Sequence, residues 1–179
     1  MIQETNIYGD QFGFQQRHSV GRILNVGCNT DGGNLASMGA VNVDLGTLDN
    51  LGQVMPVRVI ADARALPFGP HFDTVVLGEI LEHMEHDAAV LTLRQARAAL
   101  RPGGRVVITM PHDIRRENDA LEVPEQEFYT EGVYAFHYRC IPWEELAGWL
   151  AEAGLRPRLR AAIHYPWGEK GSGAVAVVL

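Results

Sequence analysis

The stretch Arg22-Ile-Leu-Asn-Val-Gly-Cys-Asn-Thr-Asp-Gly-Gly33 decides the fold. Ile23 to Val26 is short, apolar and partly β-branched, which reads as a buried strand. Gly27, Gly32 and Gly33 break the run, and a short helical pattern follows over residues 33–38. In open α/β sheets, a strand entering a glycine-bearing turn and then a helix builds a ligand crevice at the strand's carboxyl end. Glycine permits close backbone approach, and a helix start offers N–H groups. Two nucleotide motifs are excluded. A dinucleotide fingerprint needs glycine where Asn29 stands, and a phosphate loop needs a following Gly-Lys-Ser/Thr.

Four further stretches follow in order. Val41-Asn-Val-Asp-Leu45 ends a second short strand in an acid, and Val59-Ile-Ala-Asp62 ends a third in another, before Ala63-Arg-Ala-Leu-Pro-Phe68. Phe72-Asp-Thr-Val-Val-Leu-Gly78 is a fourth strand running into Glu79-Ile-Leu-Glu-His-Met84. A helix over residues 87–100, with Asp87 placed to cap it and Val90, Leu93 and Leu100 on one face, ends at Arg101-Pro-Gly-Gly104. A fifth strand follows over residues 105–110. A long acidic loop over residues 111–135 reads as a substrate loop, because long loops in compact domains are commonly functional. Trp143 to Ala153 is amphipathic, with Leu146, Trp149 and Leu150 inward, and two strand-like runs close the chain as an antiparallel pair. Residues 1–20 have no clear period and read as a lead-in packed on the sheet, or as a lid.

This series, over residues 20–115 and more loosely 135–179, resembles the class I S-adenosylmethionine (SAM)-dependent methyltransferases. It is most similar to the small-molecule type carrying LPF…FD…EHM…LRPGG. The resemblance implies an α/β fold: a Rossmann-like, seven-stranded, mostly parallel sheet flanked by helices, its last strand antiparallel. It implies SAM as cofactor. Gly27 would lie against the methionine and ribose portion, and Asp44 would accept from the ribose hydroxyls, since a carboxylate offers acceptors only. Asp62 with Ala63 would meet the adenine edge, Leu45 would pack on the adenine face, and Glu79 would border the crevice. The family's acid-x-Gly-x-Gly-x-Gly loop is altered here to Asn25, Gly27, Asn29 and Asp31. Asn29 tolerates positive φ and can keep the turn. Asn25 can hydrogen-bond but brings no charge.

Methyl transfer is an in-line displacement, for which an enzyme supplies alignment and, for a hydroxyl acceptor, a base. His83 is the leading base candidate, with an ordinary pKa near 6.5, and His112 is the second. Glu79, Glu82 and His83, with His137 further on, are similar to the ligand pattern of metal-dependent O-methyltransferases, including RNA 2′-O-methyltransferases. Such a set suits Mg²⁺ or a similar divalent ion. The rival reading of Glu-x-x-Glu-His is a wall that orients the helix and the substrate. Tyr8, Phe128, Tyr129, Tyr134 and Phe136 are candidates for an apolar substrate floor, and Arg115 and Arg116 for an anionic acceptor.

Composition narrows the function classes. The 179 residues suit one domain, 1–179. Hydrophobic residues make up 46% and charged residues 21%, as in a soluble globular chain. A net charge of −7 argues against a broad nucleic-acid footprint but leaves room for a local basic groove. Cys28 and Cys140 suggest no disulfide framework, and Cys28 is expected to pack rather than react. No apolar run reaches the roughly 20 residues of a membrane span and no signal peptide is read, so a cytoplasmic location is expected. The expected partners are a small-molecule acceptor, methylated at a hydroxyl oxygen of a sugar or secondary metabolite, and a second copy in a homodimer. The alternatives are a methyltransferase-like, non-catalytic partner subunit, supported by the altered loop, and the metal-dependent RNA enzyme.

Overall fold

A computed structural model describes residues 2–29, 33–48, 52–113, 141–164 and 172–178. The strands are β1 (Gln3–Tyr8), β2 (Ile23–Val26), β3 (Val41–Asp44), β4 (Val59–Ile60), β5 (Phe72–Gly78), β6 (Leu100–Asp113), β7 (Leu159–His164) and β8 (Ser172–Val178). The helices are α1 (Gln11–His18), α2 (Gly33–Ala36), α3 (His86–Ala99) and α4 (Trp143–Glu152). The strands form one sheet in the order β1-β7-β8-β6-β5-β2-β3-β4. All pairs are parallel except those of β8, which runs antiparallel to both β6 and β7.

The apolar runs that read as buried strands have helices on both faces of the sheet, which is why they do not alternate with polar residues. Along β5, Val75 and Leu77 pack toward α3 and α4, while Val76 packs on the other face with Phe14 of α1 and Leu35 of α2. Along β6, Val106 and Ile108 face the first core and Val107 the second. In α3 the buried positions Ala89, Val90, Leu93 and Ala96 follow helical spacing. In α4, Leu146, Trp149 and Leu150 are buried, each side chain contributing about 1.5–3 kcal/mol by leaving water.

Four expectations are corrected. The sheet has eight strands rather than seven, because residues 3–8, taken as lead-in, pair in parallel with β7. Their outward, mostly polar side chains give no strand signal; backbone pairing with β7 makes the strand. Helix α3 starts at His86, so Asp87 sits in its first turn and favours the helix dipole rather than capping it. Leu100 belongs to the strand side of the boundary, bridging Phe72 before a register break, with regular pairing from Thr74↔Arg105 onward. The 33–38 helix is a single turn, Gly33–Ala36.

Candidate active site

Strands β2, β3 and β4 succeed one another on one side of β2, and β5 then falls on its other side. Between β2 and β5 the winding reverses, and the crevice outside the carboxyl ends of such strands is where open α/β sheets bind ligands. A cleft lies there. Asn25, Gly27, Cys28 and Asn29 come from the end of β2, Gly78 and Glu79 from the end of β5, and Phe12 and Gln15 from α1 above them. Of the residues expected from sequence, Asn25, Gly27, Asn29 and Glu79 therefore meet at one place.

The first turn is built by hydrogen bonds to β3. The N–H groups of Gly27 and Cys28 both donate to Val43 O, at 2.9 and 3.2 Å. The Asn29 N–H donates to Asp44 Oδ2 at 3.0 Å, and the Leu45 N–H to Asp44 Oδ1 at 2.8 Å. Gly27 has φ +69°, and Asn29 keeps the turn at φ +41°. The substitution of glycine by asparagine at position 29 is thus accommodated by a residue able to enter the left-handed region. Asn25 is buried; its Nδ2 donates to Asn42 Oδ1 at 3.1 Å, and Asn42 Nδ2 donates to Pro56 O at 3.0 Å. An amide at position 25 fits this relay because it can donate, which an ionised carboxylate cannot. The Cys28 thiol is buried and its pKa pushed up to about 12, by burial first and then by the Asp44 charge. It stays neutral and packs.

Glu79 lines the cleft at φ +53°, which is unusual outside Gly, Asn and Asp. Its N–H donates to Thr109 O at 2.9 Å, which anchors the turn to β6. Non-glycine residues held in this region concentrate at functional sites. Thr109 is also the anchor of α1: Gln15 Nε2 donates to Thr109 Oγ1 at 2.8 Å across Gly78, where any Cβ would strike the Gln15 amide. Phe12 and Gln15 are site residues that the sequence did not single out. The only local signal was an aromatic and glutamine-rich segment without a period.

Asp62 and Ala63 stand beyond β4. Asp62 caps the short 3-10 turn Ala63–Ala65 through the Arg64 N–H at 2.8 Å, and the Arg64 guanidinium forks onto both carboxylate oxygens. These hydrogen bonds hold the Asp62 carboxyl below its ordinary range. Ala63 is buried in the core beside Leu66, whereas Leu45 is 72% exposed next to Asp44.

His83 and Glu82 belong to the 3-10 turn Leu81–His83. Glu82 is 3% exposed, and neither carboxylate oxygen has a hydrogen-bond partner among the described residues. Burial, then the charge of Glu79, push its pKa up to about 9, so it is a neutral acid at pH 7. Its 3.9 Å approach to His83 Nε2 is then no salt bridge. Among the described residues, no group of three or more His, Cys, Asp or Glu side chains is arranged to hold a metal ion. His137, Arg115, Arg116, Phe128, Tyr129, Tyr134 and Phe136 lie outside the described residues, and of His112 only the backbone is described, opposite Gly173. Tyr8 stacks on His164 at the end of β1, with β7, β8 and β6 between it and β5. No helix among the described residues is long and apolar enough to cross a membrane.

A family profile described as a methyltransferase domain matches residues 10–159. Among curated proteins no sequence matches. Many solved structures share the fold. The Burkholderia thailandensis 1,6-didemethyltoxoflavin-N1-methyltransferase, solved with 1,6-didemethyltoxoflavin and S-adenosylhomocysteine, is 21% identical, with a TM-score of 0.65 over 93% of this chain and 74% of that one. The glycopeptide N-methyltransferase MtfA, complexed with SAM, is 13% identical, with a TM-score of 0.68 over 96% and 91%. The O-methyltransferase NcsB1 from neocarzinostatin biosynthesis, in complex with S-adenosylhomocysteine and 1,4-dihydroxy-2-naphthoic acid, is 19% identical, with a TM-score of 0.60 over 94% and 53%.

Proposed function

The chain belongs to the methyltransferase-domain family, and we propose that it transfers a methyl group from SAM to a small-molecule acceptor, at a hydroxyl oxygen of a sugar or secondary metabolite. One observation carries the choice of cofactor. The N–H groups of Gly27, Cys28 and Asn29 are all taken within the protein, and the carboxylates of Asp44 and Glu79 flank the turn. Such a turn offers no cradle to a pyrophosphate and is negative in character. It suits a ligand with a cationic centre and a neutral diol.

The residues fit SAM, whose sulfonium supplies the transferable methyl group. Each Asp44 oxygen accepts one backbone N–H and the Cys28 thiol also approaches the carboxylate, which would accept from a ribose diol at its remaining acceptor capacity and in place of the thiol. Gly27 lets the chain pass close to the ligand. Asp62, whose two oxygens both carry Arg64 contacts, would take an adenine amine in exchange for part of that fork, and exposed Leu45 provides an apolar surface for an adenine face. Glu79 brings negative charge to the cleft. His83, about one-third exposed, is the proposed base for an acceptor hydroxyl, with His112 as the second candidate.

The test is incubation of the purified protein with methyl-labelled SAM and a panel of hydroxylated acceptors, with mass spectrometry of the products. Label in a low-molecular-weight product, lost in Asp44→Ala and reduced in His83→Ala, is expected. Label in no acceptor while SAM binds normally would exclude the proposed acceptor class.

A further inference from the structure

A second depression lies at the opposite end of the sheet. It is a groove of about 560 Å³ between the end of α3, the start of β6 and the segment entering β7. Leu100, Val106 and Leu155 give it an apolar floor, and Arg97, Arg101, Arg156 and Arg158 line its walls. No Asp or Glu is among the described residues lining it. Four of the chain's 15 Lys and Arg residues thus meet in one groove of a protein whose net charge is −7.

The four arginines are not held alike. Arg97 Nη1 donates to Ala153 O at 3.4 Å and lies against Gly154, at φ +73°, where a Cβ would collide with the guanidinium. Arg101 pairs with Asp73, the nearest carboxylate, whose other oxygen accepts the Arg22 N–H. Arg156 and Arg158 are exposed, on backbone fixed where the Arg158 N–H donates to Val178 O at 2.8 Å and the Gln3 N–H donates to Arg158 O at 2.9 Å. Asp73 offsets one charge; three remain around a concave surface. Guanidinium forks match phosphate oxygens bidentately and are weakly hydrated, so they bind phosphate without a large desolvation cost. The volume falls in the range of small-molecule pockets, about 300–1,000 Å³.

We propose that this groove is a binding site for a small molecule carrying a diphosphate group, the diphosphate held by the arginines and its less polar body on the Leu100–Leu155 floor. Its rim at Pro70 and the cleft at Glu79 are separated by the length of β5, about 20 Å. The groove is therefore separate from the cleft at the β2–β5 switch point.

The experiment is calorimetric titration of the full chain with UDP and with inorganic pyrophosphate, at low salt and again at about 0.3 M salt. Saturable binding of UDP, one per chain, is expected, tighter than that of pyrophosphate and weaker at high salt. Arg156→Gln/Arg158→Gln should weaken it by about tenfold or more without lowering the melting temperature. Arg156→Lys/Arg158→Lys, which retains charge and is the safer variant for folding, should fall between. Arg58→Gln, an exposed arginine beside β4, and saturating S-adenosylhomocysteine should leave it unchanged. Absence of saturable binding, equal loss in Arg58→Gln, full binding by the lysine pair, or competition by S-adenosylhomocysteine would each overturn the proposal.

Discussion

At Gly27 the backbone stands at φ +69°, and a Cβ there would lie 2.6 Å from Ile80 Cδ1. Gly27→Ala therefore combines left-handed strain with a clash, and urea unfolding should show a loss of about 2–3 kcal/mol. Glu82 gives a pH signature. Its pKa is about 9 when folded and near 4.5 when unfolded, so between those values the native state holds the proton that the unfolded state has released. Stability must then fall as pH rises through this window. Glu82→Gln removes that slope: relative to wild type it should gain at least about 1 kcal/mol between pH 5 and pH 8, read from urea midpoints. A wild-type curve parallel to that of Glu82→Gln would show that the carboxyl ionises inside the protein. The contrast between these residues shows what a sequence makes legible. Gly27, Asn29 and Asp44 are tied together between one strand end and the next, 15 positions apart for Asn29 and Asp44, so the strand–turn–strand–acid order announces them. The neutral state of Glu82 depends on burial by distant elements, which no local spacing encodes.

Among the elements, α1 owes its place to two side chains. Phe14 is fully buried against β5 and β6, and Gln15 spans 94 positions to reach Thr109. Phe14→Ala should cost about 3–5 kcal/mol in chemical denaturation. Gln15→Ala removes one buried hydrogen bond and leaves the Thr109 hydroxyl short of a partner, at about 1–3 kcal/mol. Because Gln15 also lines the cleft, its loss should weaken S-adenosylhomocysteine binding in calorimetry more than a variant of equal instability placed in α4. Equal effects would reduce α1 to packing. Residues 3–18 were the least legible part of the chain. β1 is an edge strand with outward side chains, and the two buried positions of α1 are adjacent, too few to mark a period. Strands β2 and β5, by contrast, are buried along most of their length and carry the short apolar runs Ile23-Leu24 and Val75-Val76-Leu77, and α3 and α4 show their helical period in their buried positions.

For the whole molecule, the order of strand, turn, acid and helix predicts a doubly wound sheet, and the reversal between β2 and β5 follows from its topology. The cleft at that reversal is lined by the Glu79 carboxylate, whereas the groove at the other end is lined by four arginines. The cleft faces a cation-bearing cofactor in the proposed reaction, and the groove was beyond sequence reading because its arginines come from two distant segments, 97–101 and 156–158. The central claim is that the altered loop around Asn25, Gly27 and Asn29 still holds SAM. Calorimetric titration of chelator-treated protein with S-adenosylhomocysteine tests it most directly, with Asp44→Ala beside the wild type and melting curves to show that both are folded. Micromolar binding by the wild type, weakened about tenfold or more in Asp44→Ala, is the predicted result. Folded wild-type protein that gives no binding heat across the titration, or an Asp44→Ala variant that binds as tightly as wild type, would contradict the claim.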